Sequence, residues 1–258
     1  MNFRSIFAAS TALLLSSAAA NAAQIAALIG GDTIAMVDTA QKKATGSVKV
    51  TGISGALVGI DVRPADGMLY GLVDDGTIVT IAMDGKATTK SKLDTMLAKG
   101  VAATVDFNPV ADRLRVMGAD GMNLRANVED GKVTKDGDHK FADSDMHKGE
   151  KPNIVAGAYT NSVKGAKETA LFNIDGTIGG LIKQAPPNDG VLGAIGKLGI
   201  KADGVAFDIW SDGAGKNEAW LMAGGTLYSV DLATGKATEV AKITGVGGTV
   251  KDIAIMGM

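Results

Sequence analysis

The chain has 258 residues with 26 basic and 28 acidic side chains, a formal net charge of −2, and no cysteine. This balance provides no basic footprint for nucleic acid, and the lack of cysteine excludes a disulfide framework and thiol chemistry. Glycine is common at 35 residues and proline rare at five; because the glycines recur at turn positions, this composition favours many tight turns over disorder.

The first residues have the pattern of a secretory signal peptide. Arg4 precedes an apolar run at 6–20, and the small-residue triplet "ANA" at 20–22 suits a signal peptidase. We therefore expect a signal peptide at 1–22 and a single domain at 23–258. The apolar run is short for a membrane span, and no other segment approaches about 18 uninterrupted apolar residues. The sequence predicts a periplasmic or extracellular protein without a membrane span.

Two sequence features recur through the rest of the chain. The first is an apolar strand that carries an aspartate, as in "LVGIDVRP", "AATVDFNP", "GVAFDIWSD" and "TVKDIAIM". The second is a turn that reads Gly-Lys-small-Thr, as in "DGKAT", "DGKVT" and "TGKAT". Asp61 and Asp106 are 45 residues apart, and Gly85 and Gly131 are 46 apart. Each repeat contains four short runs separated by turns, which is typical of a β-propeller blade.

In chain order, the pattern predicts three N-terminal strands, four complete blades and one last strand. The N-terminal strands are predicted at 25–29, 33–38 and 46–50, and the complete blades at 56–95, 101–140, 152–200 and 203–245. The segment "KLDTMLAKG", which precedes the blade at 101–140, favours a short helical turn. The last strand completes the first blade by pairing with the N-terminal strands, which closes the ring.

The predicted fold is therefore an all-β, five-bladed β-propeller with four antiparallel strands per blade. A β-sandwich could use the same number of strands, but it would not explain the period of about 45 residues. A six-bladed ring would need a further blade that the sequence does not contain.

Several motifs together resemble one known family. "GIDVRPADGMLYGL", "VDFNPVADRLRV", "NLRANV", "AYTNS" and "PPNDG", in this order and spacing, resemble the bacterial domain-of-unknown-function 4394 family over essentially all of residues 23–258. The resemblance implies an exported β-propeller-like domain with no established activity, and it supplies no catalytic residues. The first motif is also similar to strands of lactonase-type propellers, but such a strand marks a blade and not a reaction.

Four aspartates form the first candidate site. Asp61, Asp106, Asp208 and Asp252 fall at one phase of the first strands, and Tyr159 takes the fifth place. First strands line the channel of a propeller, so these side chains are expected to converge, and neighbouring carboxylates about 8 Å apart repel by roughly 2 kcal/mol. They either hold a cation, for which Ca²⁺ with its preference for oxygen ligands is the best match, or accept backbone N–H groups of the adjacent blade as a structural latch. We favour the latch, and no cofactor is firmly implied.

A second candidate site consists of polar side chains from the motifs that define the resemblance. Amides, a phenol and a guanidinium are suitable groups for binding a carbohydrate or a carboxylate. The competing interpretation is structural, since "PPNDG" is also a well-formed turn. The candidate residues are Asn123, Arg125, Tyr159, Thr160, Asn161, Asn188 and Asp189.

Three arginines alternate along the predicted strands of the third blade. Arg113, Arg115 and Arg125 thereby make one face of this blade basic. The usual arrangement packs the aliphatic stems between blades and pairs the guanidiniums with carboxylates. A binding patch is the minority interpretation.

Both histidines, His139 and His147, lie in the acidic segment 135–152. Asp143 and Asp145 have the alternating spacing of a calcium loop, but the loop's glycine and final glutamate are not in register. Two histidines without cysteine do not make a zinc site by themselves. The segment is therefore predicted to be a solvated insertion between blades.

These observations predict a binding or scaffolding module for an unknown small molecule or protein, and we expect a monomer. One alternative is a metal-assisted hydrolase of lactonase-like type that uses the central channel. Another is a protein-interaction platform in an exported assembly. The sequence contains no Gly-x-Ser-x-Gly elbow and no P-loop, so an enzyme is the less favoured class.

Overall fold

A computed structural model describes residues 23–257, and the predicted signal peptide at 1–22 lies outside this range. The described residues form 21 β-strands in five small sheets, which are arranged in a ring as a five-bladed β-propeller. Their single helical element is a 3-10 turn at Pro187–Asp189. Within the described part, no helix has the length and apolar character needed to cross a membrane.

Each blade is one sheet whose strands follow one another from the channel outwards. Blade 1 contains β1 (Gln24–Ile29), β2 (Thr33–Asp38) and β3 (Lys43–Lys49). Blade 2 contains β4 (Leu57–Val62), β5 (Leu69–Val73), β6 (Thr77–Ile81) and β7 (Ala87–Lys92). Blade 3 contains β8 (Ala103–Asn108), β9 (Arg113–Gly118), β10 (Asn123–Ala126) and β11 (Val133–Lys135).

The remaining strands complete the ring. A short strand, β12 (Lys140–Phe141), precedes blade 4, which contains β13 (Ile154–Tyr159), β14 (Leu171–Asp175), β15 (Gly180–Gln184) and β16 (Val191–Lys197). Blade 5 contains β17 (Val205–Ser211), β18 (Asn217–Ala223), β19 (Thr226–Val230) and β20 (Ala237–Lys242). The last strand, β21 (Val250–Gly257), pairs antiparallel with β1 and so becomes the innermost strand of blade 1. The predicted closure of the ring is confirmed.

The structure differs from the sequence prediction in three places. The segment predicted as a helical turn before blade 3 contains bends and turns but no helix. The third N-terminal strand begins at Lys43 instead of residue 46. β12 pairs parallel with β16, so the sheet of blade 4 has five strands and one parallel pair. A pairing of only two residues carries too little periodicity to be seen in a sequence.

Apolar side chains are buried mainly between blades. The inner strands are buried on both faces, whereas β3, β7 and β20 expose most of their residues to solvent. Each of the five hydrophobic clusters contains buried residues from two adjacent blades. At the junction of blades 2 and 3, for example, the ring of Tyr70 meets the ring of Phe107 edge-on at 5.2 Å. Since burying one such side chain stabilises the fold by about 1.5 to 3 kcal/mol, the blades stabilise one another.

Candidate functional site

The four aspartates of the first strands lie at the centre of the ring, and we call them the axial carboxylates. β4, β8, β17 and β21 each contribute one of them, and all four are buried. One carboxylate oxygen each from Asp61, Asp106 and Asp208 lies within 4.8 Å of the other two. The structure therefore brings together side chains that are far apart in the sequence.

Every axial carboxylate also accepts a hydrogen bond from a backbone N–H of the next blade. These bonds therefore connect neighbouring blades at four of the five junctions of the ring. The donors and acceptors are Ile60 N to Asp252 at 2.9 Å, Phe107 N to Asp61 at 2.6 Å, Tyr159 N to Asp106 at 2.9 Å and Ile255 N to Asp208 at 2.7 Å. This is the geometry of the latch interpretation.

The hydrogen bond from Ile60 N to Asp252 depends on the absence of a side chain at Gly59. A Cβ atom on Gly59 would stand 2.9 Å from the Asp252 carboxylate and 2.7 Å from a methyl group of Val105. Real Cβ atoms do not approach other atoms so closely, so a side chain at this position would push the carboxylate away from Ile60. The glycine before the aspartate motif of blade 2 is therefore required by the junction.

Burial makes the axial carboxylates hard to ionise. The pKa values of Asp61, Asp106 and Asp252 lie well above the usual value, first because of desolvation and then because the carboxylates repel one another. Desolvation raises the pKa of Asp208 to about 6, against hydrogen bonds from two backbone N–H groups that lower it. Asp208 therefore loses its proton above about pH 6, whereas Asp61, Asp106 and Asp252 hold theirs to a higher pH than an exposed aspartate does, unless a cation replaces the protons.

The junction of blades 4 and 5 has no axial carboxylate. Tyr159, expected in the fifth place, offers its backbone N–H to Asp106, while its hydroxyl accepts a hydrogen bond from Arg115. This junction instead contains an amide pair, in which Asn161 N donates to Asn217 Oδ1 at 2.7 Å and Asn217 Nδ2 donates to Asn161 Oδ1 at 3.0 Å. Asn161 also adopts a left-handed backbone with φ of 55°. Its amide thus joins two blades.

Arg115 is the centre of the second polar network. It is 1% exposed, and its guanidinium donates to four acceptors, each on a different segment. The acceptors are Tyr159 Oη at 3.0 Å, Asn123 Oδ1 at 2.8 Å, Asp136 Oδ2 at 2.6 Å and Asn188 Oδ1 at 2.8 Å. The structure therefore brings three residues of the predicted ligand-binding set together, but around an arginine that the prediction had assigned to packing between blades.

The other members of the predicted set lie around or away from this network. Arg125 donates twice to Asp136, at 3.0 Å each. Burial raises the pKa of Asp136, but the hydrogen bonds from Arg125 and Arg115 outweigh it, so the value ends below the usual one. Asp189 is exposed on the 3-10 turn, and Thr160 pairs with the Ala170 backbone.

Asp136 and Arg63 form partly buried ion pairs that were not predicted from the sequence. Arg63 connects blades 2 and 3, donating to both carboxylate oxygens of Asp112 at 2.8 and 2.6 Å and to Glu129 at 2.7 Å. Its position directly after the aspartate strand, like the alternation of arginines on blade 3, was a signal for a buried guanidinium. The acidic partners gave no signal because they lie on turns of the neighbouring segment.

The two histidines do not join the axial carboxylates. His139 is buried, and neither ring nitrogen has a hydrogen-bond partner among the described residues. Desolvation, followed by the charge of Arg115, lowers its pKa to about 4. His147 Nδ1 lies 3.1 Å from Glu150. Asp145 of the same segment accepts the backbone N–H of Ala194 at 2.7 Å, which fixes the loop to blade 4.

A central cavity of about 590 Å³ opens where the first strands begin. Every blade contributes a residue to its wall: Val58, Ala103, Val155, Val205 and Val250. One side is covered by the connection between blades 2 and 3, residues 96–102, which we call the lid loop. Apolar residues from five separate repeats carry no chemical signature, so this cavity could not be predicted from the sequence.

Comparisons with known proteins identify the family of this chain. A family model described as Domain of unknown function (DUF4394) matches residues 33–254. No match was found among curated proteins. A protein of unknown function from Bacteroides caccae is 12% identical, with a TM-score of 0.45 over 91% of this chain and 98% of that one.

Two further solved structures are similar. A structural genomics protein of unknown function from Bacteroides thetaiotaomicron is 15% identical, with a TM-score of 0.52 over 90% of this chain and 64% of that one. The calcium-binding protein regucalcin from Agrobacterium tumefaciens is 13% identical, with a TM-score of 0.49 over 92% of this chain and 78% of that one. At these identities the likeness concerns the fold alone.

Proposed function

We propose, for a chain that belongs to the DUF4394 family of domains of unknown function, that it is an exported module that binds a small molecule in the central cavity. One observation carries this proposal: the cavity of about 590 Å³ is bordered by all five blades. Ligand sites are typically concave and mostly apolar, with volumes of about 300 to 1,000 Å³ and few charged groups at their edge. Export rests on the signal-peptide pattern at 1–22.

We place the ligand in the cavity and not at the predicted polar set. Asn123, Tyr159 and Asn188 already accept hydrogen bonds from Arg115. A ligand at this position would have to break hydrogen bonds of the buried Arg115, Asn123 and Tyr159, and leaving a buried group unpaired costs about 1 to 3 kcal/mol. Binding in the apolar cavity would not require these hydrogen bonds to break.

Octanol is a suitable first test compound because its chain is apolar and its hydroxyl group carries no charge. At ten times its dissociation constant a ligand stabilises the folded state by about 1.4 kcal/mol, which raises the Tm of a domain of this size by about 3 to 6 °C. Ala103→Phe, which fills the cavity from its half-buried wall, should abolish both this shift and the calorimetric binding heat. Ala40→Phe on an exposed turn is the matched control. Octanol binding of equal strength in the Ala103→Phe protein would contradict the proposed site.

A calcium-binding role for the axial carboxylates is the second candidate. It is favoured by the convergence of three carboxylate oxygens within 4.8 Å. Thr104, on the same face of β8 as Asp106, adds a buried hydroxyl without a partner among the described residues. Ca²⁺ binds such oxygens, and it would remove the cost of ionising them.

Calcium binding would appear as a rise in Tm on adding CaCl₂ to chelator-treated protein at about pH 7.5. Asp106→Asn should reduce this rise, while Asp84→Asn on an exposed turn should not. A Tm that responds neither to CaCl₂ nor to chelator would eliminate this candidate. It would also eliminate the metal-assisted hydrolase, which depends on the same ion.

A further inference from the structure

The wall of the central cavity is aliphatic. Its apolar residues are valines, alanines, Met96 and Leu97, and none of the bordering residues is aromatic. Aromatic rings are the usual platforms for flat ligands, whereas aliphatic side chains pack against any flexible chain. The wall therefore fits a saturated hydrocarbon chain better than a ring system or a sugar.

Two lysines stand at the edge of this wall. Lys99 belongs to the lid loop and Lys251 to β21, and both are exposed at the cavity. Neither makes a salt bridge with any residue that the structure describes. Asp74 also borders the cavity, so the edge has one acidic and two basic groups. The edge thus has a net positive charge.

The axial carboxylates lie deeper in the channel than this edge, and Asp252 lies two residues beyond the wall residue Val250. Asp61, Asp106 and Asp208 each lie three residues beyond the cavity-wall residue of the same strand, which corresponds to about 10 Å. Buried carboxylates repel an anion whenever they are ionised, and they offer it no counter-charge when protonated. A negatively charged group is therefore favoured at the lysine edge and disfavoured in the interior.

We propose that the ligand is an amphipathic anion, whose aliphatic chain occupies the cavity and whose carboxylate remains at the edge with Lys99 and Lys251. This inference rests on the proposed function, since it names the class of ligand for the same cavity. The lysines select the charged end, and the apolar wall supplies most of the binding free energy.

Octanoate and octanol both have eight carbons, but only octanoate carries a charge. Comparing them therefore tests the anionic class of the ligand separately from binding in the cavity. By calorimetry at low salt, octanoate should bind more tightly than octanol by about fivefold for one exposed charge pair and by up to about 30-fold for two, because each pair contributes up to about 1 kcal/mol. The double variant Lys99→Gln/Lys251→Gln should lose this preference and leave octanol binding unchanged. Lys86→Gln, an exposed lysine away from the cavity, should change neither. The preference should also decrease as NaCl is added.

Each outcome has a separate meaning. Equal affinities for octanoate and octanol in the wild type overturn the anionic class but leave the cavity as a binding site. A preference for octanoate that persists in the double variant overturns the role of the two lysines. If neither compound binds, the proposed function itself fails, and the class of ligand fails with it.

Discussion

Replacing Asp208 with asparagine separates the two roles of its carboxylate, which are to accept hydrogen bonds and to carry a charge. Raising its pKa from 3.8 to about 6 corresponds to about 3 kcal/mol. The folded state holds the proton more tightly than the unfolded state, so this contribution is fully present below pH 3.8 and is lost as the pH rises towards 6. From this group alone, wild-type stability should decrease by about 3 kcal/mol over that window.

The variant should show a different dependence on pH. Its amide can accept only one of the two N–H groups that the carboxylate accepts, from Ile209 at 2.6 Å and Ile255 at 2.7 Å. One backbone donor then loses its partner, which costs about 1 to 3 kcal/mol at every pH. Asp208→Asn should therefore be less stable than the wild type near pH 4, but equal to it or more stable near pH 7.5.

Urea unfolding between about pH 4 and pH 7.5 in the presence of chelator measures this difference. The Asp84→Asn variant changes the same chemical group on an exposed turn, so its stability should run parallel to that of the wild type. If the Asp208→Asn profile also ran parallel to the wild type over this range, Asp208 would be ionised normally in the folded protein. Desolvation would then not control the ionisation of this carboxylate.

Two further sets of variants test the junctions between blades by urea unfolding. Arg115→Met should destabilise the protein by about 3 kcal/mol, because it leaves several buried acceptors without a donor. Arg125 is only half-buried, so Arg125→Met should cost about 1 kcal/mol. Equal losses in the two variants would contradict the central role of Arg115. Gly131→Ala should be destabilising by more than about 2 kcal/mol, since its Cβ would overlap a backbone carbonyl of blade 2 at φ of 75°. Gly121→Ala, which has φ of 100° and open space, should cost only about 1 kcal/mol of backbone strain; a similar loss in both would show that the close approach is unimportant.

The sequence predicted the ring because its determinants are local. Each aspartate-bearing strand and each glycine turn is specified within a few residues, and their recurrence every 45 residues fixed the number of blades. The positions of Asp61, Asp106 and Asp208 in the channel followed from the same phase. Their convergence could therefore be predicted before any coordinates were known.

Features that depend on several blades could not be predicted in this way. Tyr159 does not join the axial carboxylates, because its backbone N–H donates to Asp106 and its hydroxyl accepts a hydrogen bond from Arg115, which lies elsewhere in blade 3. Arg115 and Asp136 meet across a turn with no fixed spacing. The central cavity exists only because five strands begin at the same end of the channel, which no single repeat records.

The position of β21 determines when the ring can form during protein synthesis. This strand pairs with β1, its Asp252 accepts a hydrogen bond from Ile60 N of blade 2, and its Ile255 N donates to Asp208 of blade 5. Residues 24–29 therefore leave the ribosome early, but their sheet is complete only after residues 250–257 have been synthesised and have paired with them. Such distant pairing slows folding. For a protein that we propose to be exported, this delay would keep the chain open while it is transported, so that the propeller closes only after its last strand has arrived.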